Sequence, residues 1–271
     1  MNMIYAFAAA GQPGVGYSAG MDGWTIWAIA AAIGLLAGFV KGTVGFAMPM
    51  VMISGLGSVL SPEIALAALI LPTLVSNLWQ ALRGGLAAAM GAAAEHWRYI
   101  GIVLVFIALS AQLVTRLPAQ ALFLALGIPV TLFAVLQLAG WRLRLTAQRA
   151  RRRAEIVIAA VAGVIGGMTG VWGPPTVLYL TALETPKRRA MQVQGVVYGA
   201  GAVMLTLAHV QSGVLNAQTL PLSLGMLVPA LAGLALGFAV QDRLDQEKFR
   251  RATLAVLVIA GLNLIRRGVL G

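Results

Sequence analysis

Two short stretches place glycine, proline and polar residues inside long apolar runs. The first, GFVKGTVGFAMPM at positions 38–50, contains Lys41, and the second, GVIGGMTGVWGPP at positions 163–175, contains Thr169 and Trp172. Glycine-rich turns expose backbone N–H groups, and the N-terminus of a helix adds partial positive charge. Because the lysine adds a full positive charge, the two stretches together predict an anion-binding site.

The candidate substrate-binding residues all lie in these stretches or on the apolar segment that follows each of them. They are Lys41, Gly42, Thr43, Gly45, Asn77, Gln80, Arg83, Gly167, Thr169, Gly170, Trp172, Pro174, Gln194 and Tyr198. Asn77 and Gln80 share one helical face, and so do Gln194 and Tyr198, because residues three or four apart on a helix are neighbours. The amide of Asn77 could donate hydrogen bonds to the oxygens of a bound anion.

Several of these residues also have a purely structural explanation. Lys41 could be a boundary lysine whose amine reaches the lipid headgroups, and Asn77 could hold two helices together. Trp172 could pack at the membrane interface, and Arg83 is more typical of a cytoplasmic boundary. Depth in the membrane decides between the explanations for Lys41, since an intramembrane charge is costly and usually functional.

The composition predicts a helical membrane protein. Of the 271 residues, 60% are hydrophobic and 10% are charged, and the mean hydropathy is +0.89. Soluble domains carry about 25% charged residues. Apolar runs of about 20 residues recur along the chain, as in membrane-spanning helices, whereas the strands of a membrane barrel alternate polar and apolar residues. The sequence therefore predicts an all-α, polytopic integral membrane protein.

Ten apolar segments can be marked along the chain. They cover 24–40, 44–60, 63–82, 99–115, 119–140, 155–168, 170–183, 190–210, 220–240 and 252–265. The regions 24–60 and 155–183 each contain two short segments on either side of a break. Each pair of segments could be either two full spans or a re-entrant hairpin. We therefore expect a helical bundle of about eight to ten membrane segments with hairpins broken by glycine and proline.

The basic residues predict the orientation of these segments. The loop WRLRLTAQRARRRAE holds six arginines, at positions 142, 144, 149, 151, 152 and 153, and the positive-inside rule places it in the cytoplasm. Alternating sides from this loop places Arg116, Arg266 and Arg267 outside and the other basic residues inside. Both termini are then extracytoplasmic, and we expect a multi-pass protein of the cell (inner) membrane.

The two glycine stretches align as an internal repeat. AGFVKGTVGFAMP placed over AGVIGGMTGVWGP matches three glycines and a proline at one offset of 125 residues. Five segments separate the start of one copy from the start of the other, and because five is an odd number the second copy enters the membrane from the opposite side. Inverted repeats with such breaks are typical of secondary transporters, whose substrate site lies near the midplane. We expect an extracytoplasmic tail at 1–22, a first repeat at 23–141, an arginine-rich linker at 142–154 and a second, inverted repeat at 155–271.

This duplicated motif resembles the sulfite exporter TauE/SafE family, also called the 4-toluene sulfonate uptake permease (TSUP) family. The resemblance rests on GFVKGTVGFAMPM and GVIGGMTGVWGPPTV and on the small-residue helices at 63–85 and 190–213, and it covers about 24–265. It implies transport of sulfur-containing anions such as sulfite, sulfoacetate or other sulfonates. Family members often carry glycines where this chain has Ala47 and Met48.

The predicted function is a secondary transporter, in the direction of export, that binds a small organosulfur anion between the two hairpin tips and works by alternating access. A passive anion channel and a carrier of a non-sulfur organic anion are alternatives. An enzyme is disfavoured because the chain has no cysteine, only two histidines and no acidic residue deep in an apolar segment. We expect no cofactor, no metal and no nucleic-acid partner. The expected partners are the anion and the lipid bilayer, and the oligomeric state is left open.

Overall fold

The structure is a computed structural model that describes residues 23–141, 147–240, 243 and 245–270. Within these ranges the chain forms twelve α-helices and no strand. They are α1 (Gly23–Val44), α2 (Met48–Leu56), α3 (Pro62–Leu82), α4 (Leu86–Glu95), α5 (Trp97–Ala111), α6 (Ala119–Leu138), α7 (Gln148–Thr169), α8 (Gly173–Ala182), α9 (Lys187–Gln211), α10 (Leu220–Gly225), α11 (Leu227–Val240) and α12 (Gln246–Leu270). The predicted tail at 1–22 lies outside the described residues.

The helices confirm the predicted all-α, polytopic membrane fold. By length and composition, six described spans of 20 to 24 residues can cross a membrane, and the bent pair α4–α5 raises the number to seven. Each of the ten predicted segments contains a helix. The helices α2 and α8 have 9 and 10 residues. At about 1.5 Å per residue each covers roughly half of a hydrocarbon core about 30 Å thick.

The order of helices in the first half recurs in the second half. A long helix, a short helix and another long helix are followed by a pair of shorter helices and a last long helix, first in α1–α6 and again in α7–α12. The packing follows the same pattern, because α1 packs along α11 as α7 packs along α5, while α3 packs on α9 and α6 on α12. The first helix of each half thus packs along the fifth helix of the other half. Such a reciprocal arrangement is expected when two halves are related by a twofold axis.

The helices α7 and α8 form a hairpin. Gly163 of α7 lies against Val103 of α5, and the next turn of α7 lies against the next turn of α5, so these two helices run in the same direction. Tyr179, late in α8, stacks on Tyr99 at the start of α5, with ring centroids 4.4 Å apart. The helix α8 therefore returns toward the end at which α7 begins.

Some glycines of the repeated motif lie where two helices cross closely. A Cβ at Gly38 of α1 would lie 1.9 Å from the carbonyl oxygen of Ala230 in α11. A Cβ at Gly233 of α11 would in turn lie 1.9 Å from the carbonyl oxygen of Leu35. Gly42, one turn after Gly38, also meets the α11 backbone. Small residues spaced four apart let two membrane helices approach this closely, so these glycines set the α1–α11 contact.

Two helix boundaries differ from those predicted. The helix α1 continues to Val44, so the break falls at 45–47 and Lys41 lies in the last turn of the helix. The helix α7 begins at Gln148, which makes the last part of the predicted linker 142–154 helical. Glycine and a run of arginines favour a helix end in a sequence, but packed glycines are common in membrane helices and arginine is a good helix former.

No predicted segment covers the helix α4. It has 10 residues, rich in alanine, and a bend of 84° at His96 joins it to α5. A helix of this length is too short to cross a membrane, so a search for apolar runs of about 20 residues passes over it.

Candidate functional site

The two predicted breaks share one backbone geometry. Gly45 and Gly170 both adopt left-handed conformations, with φ of 82° and 74°. The N–H of each donates to the carbonyl oxygen four residues earlier, that of Lys41 at 2.8 Å and that of Gly166 at 2.7 Å. Three residues after each glycine a new helix begins with proline in its first turn. Glycine at a helix end and proline at a helix start are preferred because their backbone angles fit, so the repeat is also a repeat of local structure.

Both breaks border one small cavity. Its volume is about 30 Å³, which accommodates about one water-sized molecule. The lining residues are Lys41, Phe46, Ala47, Pro49, Met50, Asn77, Gly170, Val171, Trp172, Gly173, Pro174 and Tyr198. Six of them are candidates predicted from the sequence: Lys41, Asn77, Gly170, Trp172, Pro174 and Tyr198. The structure therefore brings candidates from both halves of the chain together.

A buried lysine forms one wall of this cavity. Only 3% of the surface of Lys41 is exposed, and its Nζ donates to Oγ of Ser76 at 3.2 Å and to Oδ1 of Asn77. Both partners are neutral, and no carboxylate of the described residues forms an ion pair with Lys41. An ammonium taken out of water without a counter-charge is costly, so this wall favours the approach of an anion.

An aromatic ring takes the place of this polar cluster in the second half. At the offset of 125 residues, Gly166, Gly201 and Ala202 replace the lysine, the serine and the asparagine. Trp172, which corresponds to Ala47, fills the space, since a Cβ at Gly201 would lie 2.7 Å from its ring. The Nε1 of Trp172 is buried and has no hydrogen-bond partner among the described residues. The cavity therefore has one cationic wall and one aromatic wall.

Side-chain hydroxyl groups hold the second break in place. The hydroxyl of Thr169 donates to the carbonyl oxygen of Ile165 at 2.6 Å and accepts the N–H of Val171 at 3.1 Å. The hydroxyl of Tyr198 donates to the carbonyl oxygen of Gly173 at 3.3 Å. These bonds fix the peptide groups that face the cavity, so Thr169 supports the site without lining it.

Comparison with known proteins identifies the family. The family model of the sulfite exporter TauE/SafE matches residues 30–264, which is most of the chain. The chain belongs to the sulfite exporter TauE/SafE family. No curated protein and no solved structure matches it. Membership confirms the resemblance seen in the sequence and indicates a multi-pass membrane protein of a transporter family that moves sulfite and related sulfur anions.

One residue of this TauE/SafE chain departs from the glycine pattern and is held in an unusual conformation. Ala47 has a left-handed φ of 77° and is buried next to the cavity. A residue with a side chain rarely adopts this region, whereas glycine does so freely. The conformation explains why a glycine would suit this position, and the methyl group of Ala47 narrows the cavity at that point.

Eight candidates do not line the cavity in this TauE/SafE chain. They are Gly42, Thr43, Gly45, Gln80, Arg83, Gly167, Thr169 and Gln194. Gly42 and Gly167 lie at helix crossings, where a Cβ would meet the backbone of α11 or α5 within 2.5 Å. The hydroxyl of Thr43 donates within its own helix, to the carbonyl oxygen of Val40 at 2.9 Å. Gly42, Gly167 and Thr43 therefore contribute to the packing and the helix structure around the site. Direct contact of any of the eight residues with a substrate stays a prediction.

The remaining polar candidates lie beyond the cavity along α3 and α9. Gln80 is half-buried, and its Oε1 has no hydrogen-bond partner among the described residues. Arg83 is exposed, with its guanidinium 4.8 Å from the ring centroid of Phe238. Gln194 is half-buried, four residues before Tyr198. The face of α3 that carries Gln80 continues from the lysine cluster toward the end of the helix.

Sequence reasoning missed several residues that build the site. Ser76 holds the lysine amine, and Phe46, Met50 and Val171 line the cavity. Ser76 could have been found, because it adjoins Asn77 on a helix that is otherwise apolar around it. Phe46, Met50 and Val171 are ordinary membrane residues, and only their position at the breaks brings them to the cavity.

Proposed function

We propose that the chain is a secondary transporter that exports a small organosulfur anion, such as sulfite or sulfoacetate, by alternating access. The observation that carries this proposal is the buried ammonium of Lys41, which faces the cavity between the two breaks and has no carboxylate partner among the residues that the structure describes. A fixed cation with neutral neighbours suits one anionic headgroup, and family membership supports sulfur as the central atom of that headgroup.

Donors on several sides would hold the anion. The Nζ of Lys41 supplies the charge, and the amide nitrogen of Asn77 adds N–H donors while its oxygen accepts from the lysine. Proline removes part of the backbone donors in the first turns of α2 and α8, and the N–H groups left without partners in their helices are those of Met48, Met50 and Gly173. The dipoles of both helices favour negative charge at these ends. The buried Nε1–H of Trp172 is a further donor. Three anion oxygens can be satisfied by such a set.

Movement of the two halves would open the site. The cavity of about 30 Å³ is too small for an anion of four or more heavy atoms. We propose that the repeats at 23–141 and 155–271 rock against each other about the breaks, so that each side gains access in turn. The position of the two breaks supports this proposal, because the break between α1 and α2 and the break between α7 and α8 border the same cavity.

Contacts between chain segments agree with the proposed grouping of segment ends into two sides of the membrane. Arg189 forms an ion pair with Glu95, and Arg250 donates to Gln137 at 3.4 Å. All four residues lie at segment ends that the charge pattern places in the cytoplasm with the loop at 142–153. The guanidinium of Arg267 donates to the carbonyl oxygen of Gly57. The charge pattern places both of these residues outside, on the same side as both termini.

Counterflow in proteoliposomes tests the proposed function. Vesicles loaded with unlabelled sulfite or sulfoacetate should accumulate the labelled anion transiently, and uptake should saturate, because a carrier exchanges its substrate. A carboxylate such as acetate should drive at least tenfold less exchange. Conductive flux without counterflow would show a channel, and equal exchange of carboxylates would remove the organosulfur assignment.

Replacing Trp172 by alanine should change which anions are accepted. The indole fills the space next to Gly201 and forms one wall of the cavity, so its removal enlarges the site. We expect the variant to bind a larger sulfonate, such as benzenesulfonate, at least tenfold more tightly relative to sulfite than the parent does. Competition against a labelled substrate measures this ratio. The control is Trp24→Ala, since Trp24 is exposed and distant in sequence from both breaks, and an equal ratio in both variants would contradict the assigned wall.

A further inference from the structure

A second, larger cavity opens on the surface between α6, α7 and α8. We call it the α6–α7 groove. Its volume is about 200 Å³, and its walls are almost entirely apolar. Leu132 of α6 and Val157 and Val161 of α7 line it and remain 55%, 59% and 46% exposed. Apolar side chains with this exposure face lipid in a membrane protein, so the groove is a slot in the lipid-facing surface.

The apolar wall on α7 continues into two arginines. Val157, Val161 and Ile165 line the groove at intervals of four residues, and the same spacing backwards along the helix reaches Arg153 and Arg149. Arg153 lies one turn before Val157, and Arg149 lies one turn before Arg153, so both arginines stand at the end of α7 from which the apolar wall of the groove begins. Both are exposed, and neither forms a hydrogen bond or an ion pair with another described residue.

A third arginine lies on the opposite side of the same end. Gln137 lines the groove on α6 and accepts a hydrogen bond from Arg250 of α12 at 3.4 Å. Arg250 also pairs with Glu247 at 3.2 Å and shares that carboxylate with Arg251, so its charge is partly compensated. Arg149 and Arg153 therefore add positive charge at this end that no described acidic residue pairs with.

We propose that the α6–α7 groove binds an anionic phospholipid, with one acyl chain between α6 and α7 and the phosphate held by Arg149 and Arg153. The apolar slot fits a hydrocarbon chain, and the arginines fit a phosphate group by charge and by paired N–H donors. A zwitterionic lipid gains the same apolar contact and lacks the net negative charge. The site is thus selective for the headgroup, which distinguishes it from the general lipid surface.

The groove also reaches the second break. Val171 and Pro174 line both the groove and the cavity beside Lys41. An acyl chain in the groove would contact the hairpin that moves in the transport cycle. If the proposed function holds, anionic lipid should change the transport rate, but the binding itself does not depend on that function.

Lipid binding to the purified full chain in detergent tests the proposal. Native mass spectrometry, with phosphatidylglycerol and phosphatidylcholine of matched chains, should show phosphatidylglycerol bound at least tenfold more tightly. Glycerol phosphate alone should not bind measurably, because it lacks the acyl chain. Equal affinity for the two lipids, or binding of glycerol phosphate at similar concentration, would overturn the proposal.

Variants locate the site. The double variant Arg149→Gln, Arg153→Gln should weaken binding of phosphatidylglycerol about tenfold or more, since each basic residue near an anionic headgroup contributes about 1 kcal/mol. The matched control, Arg116→Gln with Arg266→Gln, removes two exposed arginines elsewhere and should keep parental affinity. Val161→Trp, which fills the slot and leaves the charges in place, should weaken binding of both lipids. An equal loss in the control, or unchanged affinity in Val161→Trp, would contradict the assigned groove.

Discussion

Lys41→Gln is expected to weaken binding of a sulfur anion about 100-fold or more, which corresponds to about 3 kcal/mol. The lysine supplies the full positive charge at the cavity, and its neighbours Ser76 and Asn77 are neutral. The glutamine side chain is one bond shorter than that of lysine but can still hydrogen-bond to Asn77, so the main change is the loss of the charge. Isothermal titration of the purified variant with sulfite or sulfoacetate measures the loss.

The same substitution should leave folding intact or improve it. A buried ammonium without a counter-charge destabilises the folded protein, so the free energy of unfolding should stay the same or rise by about 1–2 kcal/mol. Binding is then lost without a loss of stability, which simple misfolding cannot produce. Lys41→Arg keeps the charge and should retain more binding than Lys41→Gln, whereas equal loss in both variants would assign the role to shape. Parental affinity in Lys41→Gln would exclude Lys41 from the site.

Gly38→Val is expected to prevent stable folding. A Cβ at this position would lie 1.9 Å from the carbonyl oxygen of Ala230, and the obstacle is backbone of α11 that cannot turn aside. The two helices would have to separate along their whole contact, because Gly42 packs in the same way one turn further. We expect a loss above about 4 kcal/mol, seen as aggregation or as a lowered unfolding midpoint in detergent.

A matched substitution shows whether crowding is the cause. Gly101 also lies within a membrane helix, α5, and a Cβ there would meet nothing within 4 Å. Gly101→Val should therefore stay close to the parent in yield, monodispersity and unfolding midpoint. Comparable damage in both variants would mean that valine itself, and not the α1–α11 crossing, is harmful.

The sequence predicts the long helices and the two breaks well, because both follow from the spacing of apolar, glycine and proline residues. Apolar runs mark the long helices, and the matched glycines and prolines at an offset of 125 residues locate both breaks, which the structure places at 45–47 and 170–172. The spacing of the glycines does not distinguish a glycine that turns the chain from one that lets two helices pack closely. Gly45 turns the chain, whereas Gly38 lets two helices touch, and both look alike in a sequence.

The details of the site depend on packing, which a single sequence does not contain. Lys41 was a candidate with two explanations, and its burial beside Asn77 depends on how α3 lies against α1. The replacement of the lysine cluster by Trp172 in the second half follows from Gly166 and Gly201 only once their closeness to the indole is known. The helix α4 is too short to register as an apolar run.

If the chain works as proposed, the substrate anion binds between the two breaks, at Lys41. Selenite is a heavier analogue of sulfite, and its selenium can be located by anomalous diffraction from crystals of the protein. We expect one strong peak between the break at 45–47 and that at 170–172, with an anion oxygen at hydrogen-bond distance from Nζ of Lys41. A selenite peak lying away from both breaks, in crystals of a protein that binds selenite in solution, would contradict it.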